Sequence, residues 1–127
     1  MAGTTVLTQD YKSRTVKVYS IAWTSTAGGA VSGNSFSTVG GYLVRVTVVP
    51  GSGGSAPTDL YDATLVDADN IDVLNATGAN LAQATGATFN FDPPLFVPRA
   101  GTLDLVIANA GNAKTGRVDI YIDGDLT

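Results

Sequence analysis

Three aspartates, Asp67, Asp69 and Asp72, stand close together in this 127-residue chain and are the first residues that invite chemistry. Calcium takes six or more oxygen ligands, and an EF-hand loop supplies them from positions one, three and five, with glycine at six and glutamate at twelve. Counted from Asp67, position five is Ile71 and position six is Asp72, and all 11 acidic residues of the chain are aspartates. An Asx-rich turn accounts for the same three residues without a cation. A paired-carboxylate hydrolase would need one protonated carboxyl facing an ionised one. Asp62, Asp104 and Asp119 fall on expected strands, but no spacing singles out a pair, and solvent-face aspartates are the commoner origin of such positions. Lys12-Ser13 and Lys114-Thr115 are sequence neighbours, which on a strand sends the paired side chains to opposite faces and argues against a hydroxyl–lysine dyad. Gly40-Gly41 and Gly53-Gly54 fit neither phosphate-binding fingerprint. The chain has no cysteine and no histidine, so disulfides, zinc–cysteine sites, thiol nucleophiles and histidine triads are excluded. The expectation is a protein that is not an enzyme and holds no cofactor and no metal.

Seven basic residues against 11 acidic ones give a net charge of −4 and a pI near 4.3. Nucleic-acid binding draws its affinity from neutralised phosphates. The one basic cluster, Lys12, Arg14 and Lys17, splits across two faces of a strand and makes a weak clamp, so no nucleic-acid partner is expected. The longest strongly apolar stretch, Val46 to Pro50, is interrupted by Thr47 and is far short of the roughly 20 residues that span a bilayer. No apolar core follows a basic start, so no secretory signal is expected either. The chain reads as soluble, with no membrane partner and with synthesis in a cytoplasm. The sequon Asn75-Ala76-Thr77 is then a chance match.

The elements that must carry these residues are strands. Fifteen glycines, abundant threonine and valine, and few strong helix formers favour pleated structure with tight turns. Thr15 to Thr24 forms a long strand with Lys17, Tyr19, Ile21 and Trp23 on one face, followed by a Gly/Ala/Ser-rich loop from Ser25 to Asn34. Gly41 to Val49 is the clearest strand: alternation puts Tyr42, Val44, Val46 and Val48 on a wholly apolar face and Leu43, Arg45, Thr47 and Val49 on the other. A flexible surface loop from Pro50 to Pro57 follows. Leu60 to Val66 and Ile71 to Leu74 make a hairpin around Asp67 to Asn70. Ala76 to Gln83 is a short candidate helix. Phe89 to Phe91 and Leu95 to Val97 read as short edge strands, because prolines separate and follow them. Thr102 to Asn109 and Gly116 to Ile122 pair as an antiparallel hairpin, with Leu103, Leu105 and Ile107 on one face and Val118, Ile120 and Ile122 on the other. Seven or eight strands with turns between them predict an all-β, antiparallel sandwich or jelly-roll-like single domain over residues 15–127. Residues 1–14 precede it as an N-terminal arm or edge strand, able to add to a neighbouring subunit.

Tyr19, Trp23 and Tyr42 are aromatics on expected strands, where such residues fill a core or a subunit interface, and the same three could form a sugar-binding platform. The run Gly41 to Pro50, the loop Ala56-Pro57-Thr58-Asp59, Tyr61 to Leu65, Asp67-Ala68-Asp69, Asp72-Val73-Leu74, Gly101 to Ile107 with Asn109, and Val118 to Ile122 together resemble a group of small structural proteins of tailed bacteriophages. The resemblance covers roughly residues 15–122 and is one of strands and turns, without a chemical motif. It implies a head decoration or cement protein. Such a protein is made in the host cytoplasm, resides on the outer capsid surface of the virion, and partners the major capsid protein and itself as a homo-oligomer, often a trimer. A head–tail or tail location is the variant of that expectation. A receptor- or carbohydrate-binding module of a phage tail or head fibre is the competing one.

Overall fold

Alternating β-branched and aromatic segments fold as strands, and the glycine- and aspartate-rich segments between them as turns. The computed structural model describes residues 3–11, 16–32, 35–37, 41–83, 85–97 and 102–124. Lys12, Ser13 and Arg14, and the loop residues Gly33, Asn34 and Gly40, lie outside the described residues. Among the described residues the chain forms β1 (Thr4–Tyr11), β2 (Val16–Thr24), β3 (Ser35–Ser37), β4 (Gly41–Pro50), β5 (Asp62–Val66), β6 (Ala87–Val97), β7 (Thr102–Ala108) and β8 (Thr115–Asp123). Every pairing is antiparallel. A five-stranded sheet runs β1-β2-β8-β4-β6 and a three-stranded sheet β3-β7-β5. One apolar cluster joins them: Tyr19 of β2 meets Phe36 of β3 at 5.4 Å between ring centroids, and Trp23 meets Tyr61 at 6.0 Å. The protein is an all-β antiparallel sandwich.

Residues 102–122 are where alternation predicts the faces and mispredicts the pairing. Leu103, Leu105, Ile107, Val118, Ile120 and Ile122 are all buried. Their strands are not a hairpin, because β7 lies in the small sheet and β8 in the large one. Two apolar faces satisfy each other more completely across a sandwich than side by side in one sheet, which would still need a covering layer. Ser25 pins the crossing. Its hydroxyl donates to the Gly111 carbonyl at 2.6 Å and accepts the Lys114 N–H at 2.9 Å.

The clearest strand of the sequence also departs from strict alternation. Leu43 pairs with Ile122 and Arg45 with Tyr121, so Val44 is an extra residue on β4. A bulge of this kind shifts the period-two pattern by one. Leu43 therefore joins Val46 and Val48 in the core, and Tyr42 does not. On the other side of β4 the two expected short strands are one strand, β6, in which Phe91 to Pro94 bow out opposite Val44.

The candidate helix at Ala76 to Gln83 is a run of turns. Asn75, Ala76 and Asn80 have φ of 51°, 65° and 56°, in the left-handed region that no right-handed helix accommodates. The hairpin around Asp67 to Asn70 keeps only its first arm. Its return is a single bridge between Val66 and Asp72, with the Val73 N–H donating to the Leu65 carbonyl at 2.7 Å.

Candidate interaction face

Two of the three clustered aspartates, Asp67 and Asp72, build turns with their carboxylates. Asp67 Oδ1 accepts the N–H groups of Asp69 and Ile71 at 2.9 and 3.0 Å. The Asp72 carboxylate accepts those of Leu65, Leu74 and Ala76 at 3.1, 3.0 and 3.0 Å. Among the described residues no cluster of three carboxylates is arranged to hold a cation. Asp62 is likewise engaged, accepting from Asn80 N–H at 2.9 Å and from Asn109 Nδ2 at 2.7 Å. It lies opposite Ala108, whereas Asp104 lies opposite Val66. Four residues along a strand put them about 13 Å apart, beyond the separation that acid–base pairs of glycosidases use. Asp119 belongs to the other sheet.

Tyr19 and Trp23, two of the three aromatics expected in the core or at a subunit interface, are in the core at 0% and 2% exposure. Bulk on the apolar face of a central strand is what fills a sandwich of two sheets. Neither ring can meet a partner or a sugar without opening the fold, so for these two residues the core reading holds and the interface and platform readings do not. Gly116 is what admits the indole, since a Cβ there would clash with Cζ2 and Cε2 of Trp23. Trp23 Nε1 is the one buried side-chain polar atom without a hydrogen-bond partner among the described residues. Beneath it, burial pushes the Tyr61 hydroxyl up to about 12. That shift reflects desolvation of a packing residue. The platform of three aromatics does not form.

Tyr42 is half-buried on the other side of the sheet, where alternation with buried Leu43 places it. On that outer face Ala22, Arg45, Thr88, Asn90 and Arg117 are exposed, whereas Val18 and Asp119 are buried. Its residues fall in rows across the strands. Thr8, Ser20, Asp119, Thr47 and Thr88 form a polar row. Asp119 is 8% exposed at its centre, with both oxygens receiving Arg117 Nε at 3.1 and 3.2 Å. On one side of this row Arg45 lies over the Tyr121 ring at 5.4 Å, flanked by Val18 and Asn90. On the other, Val6, Ala22, Arg117 and Val49 line a groove of ≈ 430 Å³. A second hollow of ≈ 470 Å³ lies past Pro50 and Gly51, against Ser52, Ala56 and Gln83.

Alternation made Arg45 and Tyr121 legible as residues opposite the apolar face of their own strands. Their meeting was not legible, because it depends on β4 and β8 being neighbours and on the bulge at Val44. Chemically the face can present paired guanidinium, phenol and hydroxyl groups to a macromolecule. Compared with known proteins, the chain matches no family model and no curated sequence.

Proposed function

We propose that the protein is a structural component of a bacteriophage virion, a decoration or cement protein that binds the major capsid protein on the outer surface of the shell as an oligomer. The observation that carries this reading is the outer face of the five-stranded sheet, where Arg45 and Tyr121 stack, Tyr42 lies in the next row and Arg117 is exposed beyond the Asp119 row. Arginine and tyrosine are enriched at the energetic centres of protein interfaces, where a flat, rigid surface holds them with little ordering cost. The net charge of −4 suits the outside of a DNA-filled shell better than its lining, where phosphate repulsion would oppose it. A chain without thiols also tolerates the long oxidative exposure of a virion. The work of such a protein is cementing: an oligomer, which the resemblance implies to be a trimer, touches several capsid subunits at once, and effective concentration makes weak single contacts hold their boundary closed.

The test uses shells assembled without this protein. Adding the purified chain should produce saturable co-sedimentation and a higher rupture temperature. Tyr121→Ala with Arg45→Ala should weaken binding by about tenfold or more, as loss of a hot-spot pair does. A chain with no affinity for the shells overturns the proposal.

A further inference from the structure

The margin of the large sheet at β1 carries an unanswered pairing surface. β1 pairs with β2 through eight consecutive residues without a register shift, and among the described residues no strand pairs its other side. Alternate N–H and C=O groups of β1 therefore point outward. An edge strand left this way is a template for another strand unless proline, lysine, a bulge or a covering element blunts it. From Thr4 to Tyr11 there is no proline, lysine or bulge. Val6 and Leu7 are 66% and 38% exposed, so two of the five large exposed apolar residues of the described chain stand side by side here, on opposite faces of one strand.

We propose that β1 pairs antiparallel with β1 of a second copy of this chain, with Leu7 facing Leu7, which joins two large sheets into one of ten strands. The occupant is a second copy because the strand is complementary to itself. A two-fold axis at Leu7 sets Val6 opposite Thr8, Thr5 opposite Gln9 and Thr4 opposite Asp10. The only charge in β1 then meets a neutral residue, and the two half-exposed leucines cover each other. Pairing β1 with the far edge of another copy is opposed by Pro93 and Pro94, which offer no N–H, and by the bowed segment Phe91 to Pro94. A two-fold contact of this kind is closed and needs one surface patch. It does not rest on the capsid reading: pairing and shell binding are measured separately, and either can fail alone.

The absence of cysteine from the chain makes a clean test. Facing residues of an antiparallel pair have Cα atoms about 4.5 or 5.5 Å apart, within the span of about 4.4–6.8 Å that a disulfide bridges. Under mild oxidation Leu7→Cys should convert most of the chain to a covalent dimer. Leu95→Cys, an exposed position on the β6 edge, should stay unlinked. Sedimentation of the unmodified full chain should show a concentration-dependent even-numbered species. Leu7→Lys should remove that species while keeping the circular dichroism spectrum and melting temperature, and Leu95→Lys should leave it intact. A monomer at every concentration, equal cross-linking at positions 7 and 95, or association unaffected by a folded Leu7→Lys variant would each overturn the pairing.

Discussion

β1 and β6 are the two margins of one sheet, and they deal with their outward-facing amides in opposite ways. β6 carries Pro93 and Pro94, bows out by several residues opposite Val44, and buries Ala87, Phe89 and Phe91 partly against the core. β1 runs straight through eight paired residues with side chains exposed on both faces. The three-stranded sheet is too narrow to cover both margins, and the chain uses its long segment after β5 to add Leu74 and Leu81 to the core cluster that Phe89 and Phe91 join. Two margins of one sheet thus become an anchored edge and a straight one, and the difference lies in the prolines, the bow and the partly buried aromatics of β6.

The largest expected effect tests whether that difference is energetic. Phe89→Ala should lower unfolding free energy by about 2–4 kcal/mol, while Leu7→Ala should cost under about 1 kcal/mol, because only the first leaves a cavity. Urea titration of both variants measures it, and equal losses would erase the distinction. Next comes the support of the segment after β5. Asp72→Ala strands three N–H groups that its carboxylate now satisfies, at a cost of about 2–3 kcal/mol. Hydrogen exchange should then accelerate over residues 65–76 and remain unchanged in β1.

Tyr61 sharpens the comparison by reporting on the core the two margins share. Its folded pKa of about 12 lies above the usual 10.0. The folded state therefore holds the proton more tightly than the unfolded chain does. The full stability is present below pH 10 and falls as pH rises through 10 toward 12, by about 2 kcal/mol. Subtracting the Tyr61→Phe profile isolates that slope, and the variant should lack it. The smallest effect on stability, under about 0.5 kcal/mol, belongs to Leu7→Lys and Leu95→Lys at their exposed edges. Thermal melts should barely separate them, although only the first is expected to alter association.

Much of this was legible in advance because period-two alternation records which face is wet. Tyr19, Ile21 and Trp23 read as one face, and they fill the core. Arg45 and Thr47 read as opposite the apolar face, and they are on the outer one. What alternation lacks is any record of partner. Leu105 and Ile120 look the same to it whether their strands lie side by side or face to face, which is why 102–122 read as a hairpin. It also assumes an unbroken period, and one added residue at Val44 exchanged the places of Leu43 and Tyr42. The Asp67–Asp72 segment was readable as a turn because Asx side chains form their bonds locally. The turns at Asn75 to Asn80 were harder to read. A short Ala/Asn/Gly run carries no apolar stripe, so nothing distinguished a weak helix from left-handed turns held by Asp62 and Asp72.

By itself the sequence determined what the molecule is made of. It specifies strands rather than helices, one apolar face per strand, no thiol or imidazole, and a surplus of aspartate whose local bonding shapes the turns. These follow from residue type and nearest-neighbour spacing, which need no distant contact. Only the tertiary structure decided which strands are neighbours. It thereby decided that Trp23 is enclosed, that Arg45 meets Tyr121, that Asp119 sits inside a row of hydroxyls, and that β1 is a straight margin while β6 is a bowed one. Those outcomes depend on contacts between residues up to about a hundred positions apart, set by which pair of sheets buries the whole apolar surface at once.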